Sequence, residues 1–390
     1  MIAVITFLEI KAKVKEAHTT TLTSLIVSLI IGLFGGTFLG KYFEKIRFSY
    51  PGLLVILPGM MGLRGNVFGS MASRFSTMLY LGDLEPSLRE KKVLKNVVLG
   101  IALSLIPVSL LWSIGILGGI RENAFDILLI VISSTILVSL ILGYFTAFVT
   151  IFTFRRGSDP DNVAAPLVAS MGDLLTIPSL IAFILLLEQA KTGFWMMNAF
   201  LVTVFVALAL IGKVKKKEFL SLKSLFTTVI LLAILSVISG SLLERYSPLI
   251  QKLSIAYPAL LSSFGNYGSI IAAKTSTRLH LGEIEDYFSG EMFLEILALF
   301  TTAPIIGILI NFLAFIIAKC LLGIHGEHME LLILTYPLMA LFIMLYAYTV
   351  SYVLFQKNID PDHVAIPFIS NNSDIFGTIY TVLIAKLMVG

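Results

Sequence analysis

The sequence predicts an all-α polytopic membrane protein of about eleven transmembrane helices, built as two parallel five-helix repeats joined by one linking helix. Three observations carry that expectation. Of 390 residues, 57% are hydrophobic and only 13% charged, a balance that soluble domains rarely reach. The block PGMMGLRGNVFGSMASRFSTMLYLGDLE, from Pro58 to Glu85, returns 200 residues on as PALLSSFGNYGSIIAAKTSTRLHLGEIE, from Pro258 to Glu285. A second block, SDPDNVAAPLVASMGDLLT from Ser158, returns 201 residues on as IDPDHVAIPFISNNSDIFG from Ile359. Two distant blocks that differ by one insertion are the mark of a duplicated unit.

Apolar runs long enough to cross a bilayer lie near 22–40, 52–81, 93–117, 124–154 and 162–188. A sixth, at 195–212, ends in the basic cluster Lys213, Lys215, Lys216 and Lys217. The second set lies near 224–243, 255–280, 291–322, 331–355 and 363–389. The expected division is a first repeat over 1–190, the linking helix and its basic loop over 191–218, and a second repeat over 219–390. Five spans would invert the next copy, and the sixth restores its orientation, so the repeats are expected to run parallel about an axis along the membrane normal.

Loop charge orients the chain. With the N-terminus cytoplasmic and the C-terminus outside, basic residues favour the inner side by roughly two to one. The inner set includes Lys11, Lys13, Lys15, Arg89, Lys91, Lys92, Arg155, Arg156, Lys274 and Arg278. The loop of Lys41, Lys45 and Arg47 runs against the trend. The apolar start with Lys11 to Lys15 reads as a retained anchor of a multi-pass cell-membrane protein. The net charge of +4 reflects these loops and is no nucleic-acid signature. The single Cys320 excludes an internal disulfide or thiolate cluster.

Asp173 and Asp374 are the first candidates for chemistry. Asp173 sits about three turns inside a membrane-length helix, and no other charge occurs between Asp161 and Glu188. An ionisable group at such depth is costly and marks a pathway. Asp374 holds the same place in the second copy. Were the two carboxylates about 5 Å apart, their repulsion at an effective dielectric of about 20 would be roughly 3 kcal/mol. That demands a bound cation or a shared proton. Mg²⁺ suits one or two carboxylates because it stays partly hydrated. The competing reading pairs the acid with a membrane arginine; Arg64 is available to Asp173, while the second copy has Phe264 in its place.

Gly65-Asn66 and Gly265-Asn266 come next. Asn offers a neutral oxygen, and Gly exposes backbone carbonyls and permits an interrupted helix, with Pro58 and Pro258 upstream. Close helix packing through small residues is the alternative. Asp159-Pro160-Asp161 and Asp360-Pro361-Asp362 are strong helix starts. They would also place a ring of acids at the cytoplasmic mouth.

These blocks resemble the MgtE-type magnesium transporters, most closely the branch of the animal solute-carrier relatives. The resemblance rests on LPGMMGLRGNVFGSMASRFST, DPDNVAAPLVASMGDLLT and their second copies, and covers nearly the whole chain. It implies a fused, single-chain pseudo-dimer of a five-helix pore domain, with Asp173 and Asp374 as the pore acids and Asn66 and Asn266 as the paired amides. It implies Mg²⁺ as transported ion and membrane lipid as surroundings, with no organic cofactor, nucleic-acid partner or enzyme activity. The copies differ at Arg64/Phe264, Gly172/Ser373 and Asn162/His363. A Na⁺- or H⁺-coupled divalent cation exchanger is the alternative, and an intramembrane aspartyl protease a remote one.

Overall fold

A computed structural model describes residues 11, 13–15, 17–117, 122–157, 160–213, 222–284, 286–323, 330–357 and 361–389. Among them no strand occurs. The first half contains α1 (Leu22–Ser49), α2 (Pro51–Tyr80), α3 (Lys91–Leu117), α4 (Ala124–Arg155), α5 (Pro160–Gln189) and α6 (Lys191–Gly212). The second contains α7 (Lys223–Arg245), α8 (Tyr257–His280), α9 (Gly290–Phe300), α10 (Ala303–Ile316), α11 (Glu330–Gln356) and α12 (Pro361–Val389). Nine stretches among the described residues are long and apolar enough to cross a membrane, α9 and α10 counting as one. The chain is thus a polytopic all-α membrane protein.

Helices α8 and α12 fall outside those nine. Their expected spans at 255–280 and 363–389 are helical, but polar residues dilute them: Ser262, Ser263, Asn266 and Thr275 in α8, and the run Asn371 to Asp374 in α12. Most of α8 is buried. A helix surrounded by protein can carry such residues where a lipid-facing one cannot.

One expectation is corrected. Both α2 and α8 run unbroken through their Gly-Asn pairs. Pro58 sits inside α2, whereas Pro258 lies in the first turn of α8, where a missing N–H costs nothing. Gly65 instead serves contact: a Cβ there would lie 3.6 Å from Ala169 Cβ on α5. The interrupted helix is elsewhere. The span holding α9 and α10 breaks at Thr301-Thr302, before Pro304. There Thr302 Oγ1 donates to the Leu299 carbonyl at 2.6 Å, and Tyr267 hydrogen-bonds the Thr302 hydroxyl at 2.9 Å.

The helices form two compact units that cut across the sequence repeats. One holds residues 42–245, the other 1–41 with 246–390. The first helix of the second repeat, and that of the first repeat as far as Lys41, have therefore changed sides. In the second unit, α1 lies on the start of α8 and the turn before it. A Cβ on Gly36 would lie 1.9 Å from the Ile255 carbonyl oxygen, and one on Gly32 would lie 2.7 Å from Ala259 Cα. In the first unit, α7 lies on α2 in the same manner. A Cβ on Gly240 would lie 1.8 Å from the Val55 carbonyl oxygen, and one on Gly59 would meet Ser236 Oγ at 2.5 Å. Val55 and Ile255, like Gly59 and Ala259, are 200 apart, while Gly36 and Gly240, like Gly32 and Ser236, are 204 apart. The same small-residue contact thus occurs twice, each time between helices of different repeats. Small residues four apart let helix backbones approach closely in lipid.

Three basic residues, one from the N-terminal stretch and two from α8, meet on one carboxylate. Glu295 in α9 is 6% exposed and accepts from Lys13, from Lys274 at 2.7 Å and from Arg278 at 2.9 Å. Arg278 also pairs with Glu291. A buried carboxylate is tolerated when charge and hydrogen bonds surround it in this way.

Candidate functional site

In the first unit the polar centre lies where α2, α4 and α5 meet. Arg64 of α2 is among the largest fully buried side chains of the described residues, 1% exposed. Its Nη1 donates to Thr176 Oγ1 on α5, and its Nη2 donates to Ser134 Oγ on α4 at 3.5 Å. Ser134 in turn bonds Ser179 at 2.6 Å, and Thr176 Oγ1 donates to the Gly172 carbonyl at 2.6 Å. Gly172 makes room: a Cβ there would lie 3.3 Å from Arg64 Cβ. The partly buried Asp173 lies within electrostatic range of Arg64. A guanidinium in this setting would be very costly without a counter-charge, and neutral hydroxyls accept from both of its terminal nitrogens. The arginine weighed as a partner for Asp173 is thus its neighbour.

The second unit builds the equivalent contact from different chemistry. Phe264 holds the place of Arg64, stacked on Tyr336 with centroids 5.0 Å apart and edge-on to Tyr380 at 5.6 Å. Gly377 holds the place of Thr176, and a Cβ there would lie 3.2 Å from the Phe264 ring. Arginine with threonine has been exchanged for phenylalanine with glycine. Asp374 is 8% exposed, and its charge reaches the Tyr257 hydroxyl. Tyr257 bonds Thr378 Oγ1 at 2.9 Å, and Thr378 Oγ1 donates to the Asp374 carbonyl at 2.7 Å. Asn372 donates to the Tyr346 hydroxyl at 2.7 Å.

The Gly-Asn pairs stand at matched places. Gly65 faces Ala169, and Gly265 faces Ser370, 3.4 Å from a built Cβ, so helices two and five of each repeat cross at the same register. Asn266 donates to Ser28 Oγ on α1 at 2.8 Å, and Ser28 also bonds Ser262 at 2.8 Å. At Asn66 no such bond forms among the described residues, because Leu232 of α7 stands where Ser28 does. Asp159 and Asp360 lie outside the described residues, as do the side chains of Asp161 and Asp362. Among the described residues no three His, Cys, Asp or Glu side chains gather into a metal cage. Asp173 belongs to one compact unit and Asp374 to the other.

The hydroxyl ladder Thr176, Ser134 and Ser179 escapes sequence reading, although one signal for it exists. A membrane arginine in one copy only implies neutral acceptors in that copy only, and Thr176 against Gly377 is such a difference. The compensation makes a test. Arg64→Phe alone is expected to lose about 3 kcal/mol or more, because it removes the cation beside Asp173 and overfills the site. Adding Thr176→Gly, which rebuilds the second copy's contact, should recover part of that loss in detergent thermal melts.

The fold and these two helix pairs define a class: a polytopic helical membrane protein that carries polar and ionisable side chains on membrane-length helices. The family model for MgtE, described as a divalent cation transporter, matches residues 57–183 and 257–384. The chain belongs to the MgtE family of divalent cation transporters. Mouse solute carrier family 41 member 3 is 25% identical over 357 residues, covering 84% of this chain and 73% of that protein. Human solute carrier family 41 member 2 is 25% identical over 362 residues, covering 84% of this chain and 62% of that protein. No solved structure matches. Membership in a transporter family removes the aspartyl protease reading, and the chain is not an enzyme.

Proposed function

We propose that this chain carries Mg²⁺ across the membrane as a single-chain pseudo-dimer, with Asp173 and Asp374 as the paired acids of the ion path. The supporting observation is the double family match, in which each segment contains one Gly-Asn pair and one acid. Helices two and five of both copies cross at matched glycines, which gives each acid an equivalent scaffold. Two carboxylates attract a divalent ion without stripping all its water, as Mg²⁺ requires. Amide oxygens of Asn66 and Asn266 would contact the remaining hydration shell, beside Gly65 and Gly265. Asp159, Asp161, Asp360 and Asp362 would concentrate cations at the cytoplasmic mouth. Loop charge supports an N-terminus in the cytoplasm and a C-terminus outside, and the matched blocks support residues 1–190 and 219–390 as repeats by descent about the 191–218 linker.

Proteoliposome flux tests this reading. Mg²⁺ uptake driven by its own gradient is expected, unchanged when Na⁺ and pH gradients are collapsed. Uptake that vanishes with either gradient would instead make the protein a coupled exchanger, and absence of Mg²⁺ flux under every condition would end the proposal.

A further inference from the structure

The two repeats differ sharply where helix four meets the loop between helices two and three. In the first copy, that junction is an open trough of about 440 Å³ lined by Ser87, Arg89, Phe148, Ile151, Phe152 and Arg155 among others. Phe148 and Phe152 stack with centroids 5.7 Å apart and are 49% and 43% exposed. Arg155 donates to the Pro86 carbonyl, which fixes its stem against the loop, and Arg156 lies over the Phe152 ring at 4.2 Å. The loop acids Asp83, Glu85 and Glu90 are not among the lining residues. Helix α4 is membrane-length and ends at Arg155, which would set the trough at the water boundary with its aromatic floor toward lipid.

In the second copy the same place is filled. Tyr287 is the counterpart of Ser87, and it stacks on Tyr348 at 5.1 Å and meets Tyr352 edge-on at 5.4 Å. Its hydroxyl bonds Thr349 at 2.7 Å, and Tyr348 donates to the Tyr287 carbonyl at 2.5 Å. Tyr352 and Thr349 are the counterparts of Ile151 and Phe148, while Arg89 and Arg155 are replaced by Ser289 and Gln356. Where the chain supplies its own ring the arginines are gone, and where it leaves the space open both are present.

We propose that the first-copy trough binds one anionic phospholipid, its phosphate held between Arg89 and Arg155 and an acyl chain laid along Phe148, Ile151 and Phe152. Two guanidiniums with no carboxylate in the lining favour a headgroup of net negative charge over a zwitterionic one. The stacked rings of Phe148 and Phe152 give the chain an apolar shelf beside the guanidiniums. The site is independent of the ion path, and its test counts lipid and not cation.

Native mass spectrometry of the full-length protein, titrated with phosphatidylglycerol or phosphatidylcholine, measures the occupancy. One phosphatidylglycerol is expected to bind wild type in preference to phosphatidylcholine. The double variant R89Q/R155Q should bind it roughly 30-fold more weakly, the effect of two interfacial charges. Ser87→Tyr keeps both arginines and copies the second repeat's own filling, so it should lose the lipid while keeping wild-type elution and melting. Equal retention of the two lipids by wild type, or undiminished phosphatidylglycerol binding by Ser87→Tyr, overturns the proposal. Loss in R89Q/R155Q alone overturns it too, since that is general surface charge and not a built site.

Discussion

Asp374→Asn and Asp173→Asn are each expected to lower Mg²⁺ uptake by about 100-fold, and the double variant to abolish it. A carboxylate about 4 Å from a divalent cation contributes about 8 kcal/mol at an effective dielectric of about 20. Water replaces part of that, leaving an effect near 3 kcal/mol on ion occupancy. Stability should separate the two single variants. Asp173 opposes Arg64, which is 1% exposed, so Asp173→Asn leaves a buried guanidinium with hydroxyl partners only. A loss of about 2–3 kcal/mol is expected, at or below the usual range for breaking a buried pair because Thr176 and Ser134 remain. Asp374 stands in a unit where Phe264 replaces Arg64, and this particular penalty has no counterpart there. The double variant Asp173→Asn with Arg64→Gln should regain stability without regaining uptake, a coupling that a mutant cycle measures directly. If it regains uptake as well, Asp173 is a structural partner of Arg64 and not part of the ion path. Wild-type uptake in the double Asn variant of both acids would remove the paired-acid site altogether.

Much of this was legible in the residues because duplication supplies an internal control. The span positions follow from apolar runs, and each of the eleven expected runs falls on helix among the described residues, the one at 291–322 interrupted at Thr301-Thr302. The acids and amides stand out because they recur at matched places. Two kinds of information were hidden. Gly65 and Gly265 fit a broken helix as readily as a close crossing, since glycine permits both; only the neighbours Ala169 and Ser370 decide between them. Chain order also suggests that the first helix of a repeat covers its own repeat. Nothing in a run such as Gly32, Gly36 and Gly40 names the partner helix, because a small-residue stripe fits any facing backbone that comes close. The Arg64/Thr176 and Phe264/Gly377 exchange lay between these cases: visible as differences between copies, but linked only once α2 and α5 are seen in contact.

The exchange of first helices predicts the largest effects on stability, and at residues far from any acid. Gly36→Ala puts a methyl group where the Ile255 carbonyl oxygen lies 1.9 Å away and its carbon 2.8 Å away. Both atoms are backbone, so no side-chain rotation relieves the overlap, and α1 must lift from its partner helix. Overpacking usually costs about 1–3 kcal/mol, and a clash with main chain belongs at the top of that range or above it. Alanine's better helix propensity, worth about 1 kcal/mol over glycine, does not offset it. Gly240→Ala meets the Val55 carbonyl oxygen at 1.8 Å and should cost as much in the other unit. The control is Gly115→Ala in α3, where nothing lies within 4 Å of a new Cβ, so only the propensity gain acts and stability should hold or rise. Gly65→Ala is intermediate, with ordinary contact at 3.6 Å, and should fold. Thermal melts in one detergent rank the four. Equal tolerance at Gly36, Gly240 and Gly115 would mean that α1 and α7 do not sit on Ile255 and Val55. Loss at Gly36 and Gly240 together with tolerance at Gly115 would establish that each repeat packs against the first helix of the other.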